Sequence, residues 1–395
     1  MFLRTFYGRA MRAPISVSSK KHVSRLSSSL ADFDPEAHCE SNANLFGLPF
    51  EAGDKNCLVT CLGVPFEATA SYRPGSSTAP AAIFEASTQV ELYDLETKNA
   101  WREGITMIPL EENPVYEWNK TAIELLEHAE RCEHHDECRK YLHGVDEISR
   151  NVNTFVAAHT RSALDAGQIP GIIGGEHSVA YGAIAAAAEE IPGFGILQID
   201  AHADMREAYG GLEFSHASVF FNVLSKYSSV QVERHVGVGI RDVAEGELNF
   251  ASEQGDRVRL WTDFELQNNM ACGMQWQALV QEIIAPLPEK VWISFDIDGL
   301  EPTLCSNTGT PVPGGLNWYQ ALNLLSGLVN SGREIVGFDL TEVGSAEWDS
   351  IVGARLLYKL ATWSIVARQR KQGIVRQNGK NTFRGTKLRS HKSNL

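Results

Sequence analysis

The feature that most constrains this chain is a set of short apolar runs that break off directly onto acids and histidines. Phe194–Ile199 stops at Asp200-Ala201-His202-Ala203-Asp204, and Val291–Phe295 stops at Asp296-Ile297-Asp298-Gly299. Gly171–Ile173 leads into Gly174-Gly175-Glu176-His177-Ser178, while Glu334–Leu340 holds Asp339 and leads to Glu342. Leu58–Val64, Val236–Ile240 and Val258–Trp261 are runs of the same kind. Continuous Val/Ile/Leu stretches, in contrast to alternating ones, predict strands buried on both faces and hence parallel. Helical stretches fall between them: Ser76 to Ser87, Asn151 to Ala166 with Gly167 as its C-cap, Ser178–Ile191, Met274–Ile284, Trp318–Val329 and Ile351–Val366. Glu111 to Gly144 is polar and helical in character, a surface excursion. The alternation, with no long linker and no internal repeat, predicts one α/β domain whose mainly parallel sheet is covered by helices on both faces.

In open sheets of this class ligands bind beyond the carboxyl ends of strands, which is where these polar residues stand. Each segment alone has an ordinary reading. Gly-Gly is a tight turn, Asp-x-Asp-Gly is turn chemistry, and a lone His after a strand is more often hydrogen-bonded in place than a ligand. Together they say more. In an extended segment the side chains at i, i+2 and i+4 share a face, so Asp200, His202 and Asp204 are expected to converge, as are Asp296 and Asp298. With His177 they bring two imidazoles and four carboxylates to strands expected side by side. Clustered carboxylates repel, and some would have to take up protons; a pair of divalent cations supplies the missing charge. An oxygen-rich set with two imidazoles suits Mn²⁺, with Ni²⁺ or Co²⁺ as alternatives, and the lack of a cysteine ligand argues against a closed structural zinc site.

GGEHS at 174–178, DAHAD at 200–204, SFDIDGLEP at 294–302 and FDLTEV at 338–343, in this order and spacing, resemble the ureohydrolase (arginase/agmatinase) superfamily over nearly all of residues 56–367. The resemblance implies a three-layer α/β/α sandwich and a dinuclear metal site. There a metal-bridging hydroxide attacks a guanidino carbon and urea is released. It implies that His177, Asp200, Asp204 and Asp296 surround one metal or bridge both, and that His202, with Asp298 beside it, serves the second. By the same likeness His216, in Phe214-Ser215-His216-Ala217-Ser218, is the proton shuttle, and Glu342 holds the guanidinium. Asp242, in Gly239-Ile240-Arg241-Asp242, corresponds to a pocket or outer carboxylate. It further implies a homotrimer or homohexamer. Elementary chemistry agrees, because guanidinium is a poor electrophile that needs hydroxide and not water, and a bound divalent metal lowers the pKa of water from ~15.7 to ~7.

Substrate choice is less constrained. Arg206 stands where arginases carry an asparagine that reads the amino-acid head group, which argues against arginine. Asp32-Phe33-Asp34-Pro35, residues 44–50, Val64 to Thr69 and Glu85 to Asp94 resemble a cyanobacterial-type branch called agmatinase, some of whose members hydrolyse free guanidine and use nickel. Guanidine is therefore placed ahead of agmatine, and guanidinobutyrate after both. A guanidine pocket needs Glu342 and a cap, for which Thr69 and Trp318 are candidates, with core packing an equal reading of both. An agmatine pocket needs an acid for the distal ammonium, and Glu207 or Glu213 could supply it. Two rivals come from other classes: a metal-free scaffold acting by association, and a deacetylase-like hydrolase with one zinc.

Net charge bears on partners and address. The formal charge is −14, yet Lys and Arg crowd both ends: residues 1–31 and 368–395 hold fifteen of them and no acid, leaving residues 32–367 at −29. A body that acidic repels phosphate backbones, so nucleic acid is not an expected partner. No stretch approaches the ~20 apolar residues of a membrane span. Arg4, Arg9 and Arg12 among Phe2, Leu3, Phe6 and Met11, followed by serines, read as a transit peptide over residues 1–31. The mitochondrion is favoured over the plastid, with an attached arm on a cytoplasmic protein as the alternative. Residues 368–395 read as a solvated tail, and residues 32–55 as an extension of the domain. Seven cysteines at irregular spacing suggest a reducing compartment and not a disulfide framework. His128, Cys132, His134, His135 and Cys138 form a second His/Cys-rich stretch, read as solvated helix because Cys-x₅-Cys is not a usual zinc spacing. Cys305 reads as a small buried residue.

Overall fold

In the computed structural model, which describes residues 30, 32–37 and 44–374, the apolar runs pair into one sheet. Its strands are β1 (Val59–Val64), β2 (Ile105–Met107), β3 (Ile169–Gly174), β4 (Phe194–Ile199), β5 (Val232–Ile240), β6 (Val258–Thr262), β7 (Lys290–Asp296) and β8 (Glu334–Thr341). They lie in the order β2-β1-β3-β8-β7-β4-β5-β6, and each neighbouring pair is parallel. The sequence predicts all of these except β2. Three residues are too few to show a period, and β2 is legible only through its pairing with Val59, Thr60 and Cys61.

Side chains alternate between two apolar layers, as strands buried on both faces require. Leu197, Ile199, Val291, Ile293 and Leu340 face a core shared with the helices Ala79–Ser87, Trp276–Ile284, Trp318–Asn330 and Glu347–Lys371. Phe194, Ile196, Trp292 and Val336 face the core on the other side, with the helices Val115–Arg131, His135–Asp165, Ala180–Glu190 and Val219–Lys226. The result is a three-layer α/β/α sandwich. Register brings the carboxyl ends of the central strands level, since Ile199 pairs with Phe295, Asp296 with Thr341 and Ile173 with Leu340. The loops after β3, β8, β7 and β4 therefore emerge side by side.

Several boundaries move. The last helix runs to Lys371, and Arg368 Nε lies 2.6 Å from Glu334 Oε1 at the foot of β8. Residues 368–371 are thus part of the fold and not of the tail. Asn151 to Ala166 is the second half of one helix that begins at His135. Cys132, at the end of the preceding helix, and Cys138, in the first turn of this one, have Cα atoms 5.7 Å apart and bonded sulfurs, so the cysteines are not all free. This is a local link six residues long, while Cys57, Cys61, Cys272 and Cys305 are unpaired. Among the described residues no helix is long and apolar enough to cross a membrane. The transit segment, apart from Leu30, and the tail from residue 375 lie outside the described residues.

Candidate active site

The strand ends deliver their polar residues to one buried cluster. His177, in a short 3₁₀ turn after β3, points Nδ1 to within 2.8 Å of Asp204 Oδ2, 3.2 Å of Asp200 Oδ2 and 3.4 Å of Asp296 Oδ2. Beside it, His202 Nδ1 lies 3.1 Å from Asp298 Oδ2 and 3.6 Å from Asp200 Oδ1. His177, Asp200 and Asp296 make one set of donor atoms, and Asp200, His202 and Asp298 make another. Asp200 belongs to both, with one oxygen turned to each. His177 Nδ1 is buried near three oxygens yet aligned as a hydrogen-bond donor to none of them. Donor atoms that crowd one point without bonding to each other have the arrangement of ligands around an ion, and the set fits a pair of divalent metals.

The route to convergence differs from the expected one. Residues 200–204 are not extended. Asp204 reaches His177 because its own backbone is left-handed, at φ 52°, and Glu342 is held the same way at φ 59°. Such conformations cost non-glycine residues about 1–3 kcal/mol and collect at functional sites. Backbone donors fix the carboxylates. Asp200 Oδ1 accepts from the His202 N–H (2.7 Å), Asp296 Oδ1 from the Asp298 N–H (2.9 Å) and Asp298 Oδ1 from the Ala201 N–H (3.0 Å). Gly175 has no substitute, since a Cβ there would collide with the Phe66 carbonyl.

Burial and mutual charge move these groups away from their usual pKa values. Burial pulls the His202 imidazole down, but Asp298 and Asp200 push it up to about 12. Burial likewise opposes charge on His177, and its three carboxylate neighbours raise it well above the usual range. Burial and the Asp200 charge push Asp204 up to about 7, and burial with Asp298 and Asp200 holds Asp296 well above normal.

Beyond the ligands, Glu342 is buried and raised well above the usual carboxylate range, by burial and then by Glu176. Its Oε1 accepts the His177 N–H at 2.9 Å. His216 opens a turn after the DAHAD loop, and its backbone N–H donates to Thr69 Oγ1 (3.0 Å), with its Nδ1 3.4 Å from the same hydroxyl. Burial and the nearby histidines lower His216 to about 4, below the near-neutral value expected of a shuttle. Thr69 is buried and hydrogen-bonded to an acid. Its N–H and Oγ1 both donate to Glu176, at 2.8 and 2.7 Å, a fully buried acid that the sequence showed only as part of a turn. Asp339 also had no assigned role. It accepts from Trp292 Nε1 (2.6 Å) and Ser294 Oγ (2.7 Å), and Ser294 Oγ lies 2.9 Å from His177 Nε2. The spacing of Glu176 before His177 and of Asp339 before Glu342 was visible, but their partners sit on other strands.

The remaining expectations divide. Trp318 begins its helix half-buried against the core, which fits packing. Asp242 is exposed. Arg206 lies 3.6 Å from Glu247 and stacks over Tyr209 (5.0 Å), whose ring meets that of His216 at 5.5 Å. Glu213 is engaged by Arg150 at 2.7 Å, and Glu207 is exposed.

Residues 58–362, which include both donor sets, match the Arginase family. A Synechocystis protein named N(1)-aminopropylagmatine ureohydrolase is 30% identical over 311 residues, covering 77% of this chain and 88% of its own. An agmatinase of Pyrococcus horikoshii is 27% identical across 75% of this chain and 88% of its own. The fold matches the crystal structure of an agmatine ureohydrolase from Thermoplasma volcanium with a TM-score of 0.61 at 23% identity, over 88% of this chain and 99% of that one. It also matches proclavaminate amidino hydrolase from Streptomyces clavuligerus, TM-score 0.63 at 23% identity, over 84% and 99%. With that family match running through both donor sets, the chain belongs to the arginase family and is a ureohydrolase, an enzyme that hydrolyses guanidino compounds.

Proposed function

We propose that this enzyme hydrolyses free guanidine to urea and ammonia, with two Mn²⁺ or Ni²⁺ ions per chain. The observation that carries the metal-dependent hydrolysis is the convergence of His177 Nδ1 with three carboxylates around a shared point. Metal ions there supply the Lewis acidity that makes hydroxide available at neutral pH. The chain's own residues do the rest. Glu342, beside His177 and buried, holds the planar NH₂ groups of the substrate and carries its counter-charge. His216, tied to Thr69 through its backbone N–H, is the group that passes a proton from the attacking water to the leaving nitrogen. Thr69 keeps its ring in place.

The choice of guanidine rests on charge near His216. The Arg206 guanidinium lies over the Tyr209 ring, which packs edge-on against His216, and so brings positive charge to that side of the cluster. It opposes a substrate with a second cation, and only Glu247 partly balances it. Glu213 is paired with Arg150 and Glu207 is exposed, which weighs against either as the partner of a distal ammonium. Agmatine is the second reading, favoured by the names of the relatives. Urea release measured in parallel on guanidine, agmatine, 4-guanidinobutyrate and arginine, after loading with Mn²⁺ or Ni²⁺, decides it. A higher kcat/KM for agmatine overturns guanidine, and arginine should be poor in either case. The proposed address is the mitochondrion, tested by fusing residues 1–31 to a reporter. The proposed assembly is a homotrimer or homohexamer, tested by light scattering.

A further inference from the structure

Asp200 is shared by both donor sets, so the position of its two oxygens matters more than that of any other carboxylate. Its Oδ2, 3.2 Å from His177 Nδ1, accepts a hydrogen bond of 2.8 Å from Gln198 Nε2. Gln198 precedes it by two residues on β4, on the same face. The same amide nitrogen donates to the His202 carbonyl at 3.0 Å. Both partners are acceptors, so the nitrogen must face them and Oε1 must face away. There Oε1 meets His235 Nε2 at 2.9 Å, across the β4–β5 pairing in which Gln198 sits opposite Gly237. A Cβ at Gly237 would come within 3.3 Å of Oε1 and 2.8 Å of Leu260 Cδ2, so the missing side chain leaves room for the amide.

His235 is fully buried, and burial lowers its pKa to about 3. It is a neutral ring with one proton, and Oε1 requires that proton on Nε2. Nδ1 is then left without a partner, an unpaired buried nitrogen that a phenyl ring used for packing would avoid. Phe220 lies edge-on between His235 and His177, at 4.5 and 5.5 Å between ring centres.

We propose that His235 and Gln198 are positioning residues that fix the Asp200 carboxylate and thereby set the affinity of the metal on the His177 side. The inference rests on the dinuclear reading of the site. His235 fixes which end of the amide points at Asp200, and Gln198 then holds Oδ2 where the first metal takes it. Gln198 also holds the His202 carbonyl, but the His202 N–H holds Oδ1 and Asp298 stands beside the His202 imidazole, so the second site should feel the change less. The effect should fall on one site.

The test is calorimetric titration of the metal-free protein with Mn²⁺. Gln198→Met should weaken one of two binding events ~10–100-fold, the usual effect of removing an outer partner, and leave the other nearly unchanged. His235→Phe keeps the ring but not the donor and should weaken the same event by less. His235→Gln, which places a donor near the old Nε2, should restore it. Equal weakening of both events, no weakening, or a His235→Gln variant as weak as His235→Phe would overturn the proposal in favour of packing. If Gln198→Met fails to fold, the two His235 variants decide alone. An unmodified protein that binds no Mn²⁺ overturns the dinuclear reading and this inference with it, whereas failure in the variants alone overturns only this inference.

Discussion

The carboxyl edge of the sheet and the helical pair over 115–165 both collect histidines with acids or cysteines, and the backbone treats them in opposite ways. At the sheet edge, register brings four strand ends level, and the N–H groups of Ala201, His202 and Asp298 fix a carboxylate each. Every residue of the two donor sets is at least three-quarters buried, and their donor atoms crowd two points. On the helices, His128, His134 and His135 are exposed, and Cys132 and Cys138 are spent on each other. Ligand-type residues make a site when topology forces them together out of water. Proximity in sequence alone does not.

The sharpest way to break that contrast is at Asp200 and Asp296. Replacing either by Asn should remove metal as well as urea production, with a loss greater than the ~10–100-fold expected for an outer partner, read by metal analysis alongside turnover. An Asn variant with both metals and normal rate would show that the cluster is not the site. Next in size, His216→Asn should cost ~10²–10⁴-fold in kcat, the range for general acid–base groups, while metal content stays constant. Thr69→Val, which frees Glu176 and the His216 ring, should cost about tenfold on the same reading.

What the sequence made legible follows the same line. Strands buried on both faces announce themselves by composition, and ligands two residues apart announce themselves by spacing. Short helices such as Glu245–Glu253 and Asp263–Ala271 have too little apolar periodicity to be seen. Glu176, His235 and Asp339 are invisible because their partners Thr69, Gln198, Trp292 and Ser294 stand on other strands or loops, and Gln198 because its amide is oriented by His235 from the next strand. Asp204 was identified for the wrong geometric reason, since its left-handed backbone and not an extended segment brings it in.

A smaller effect concerns acid stability. His235 binds a proton near pH 6.5 when unfolded but only at about 3 when folded. Between those values the unfolded chain holds more protons, so stability is full above ~6.5 and falls as pH drops. Melting the metal-free protein from pH 7 to 4 should show a steeper decline for the unmodified chain than for His235→Gln. Parallel curves would mean that His235 is already protonated in the fold. Smallest of all, replacing His128, His134 and His135 by Ala should change neither metal content nor kcat/KM, and stability by no more than ~0.5 kcal/mol each.

The proposed hydrolysis needs two metals at the sheet edge that share Asp200. Anomalous diffraction from a crystal grown with Mn²⁺ tests it most directly. Two peaks should appear in the cluster, one among His177, Asp200 and Asp296 and one among Asp200, His202 and Asp298. A cluster without peaks, or manganese held instead by the histidines at 128–135, would contradict the account.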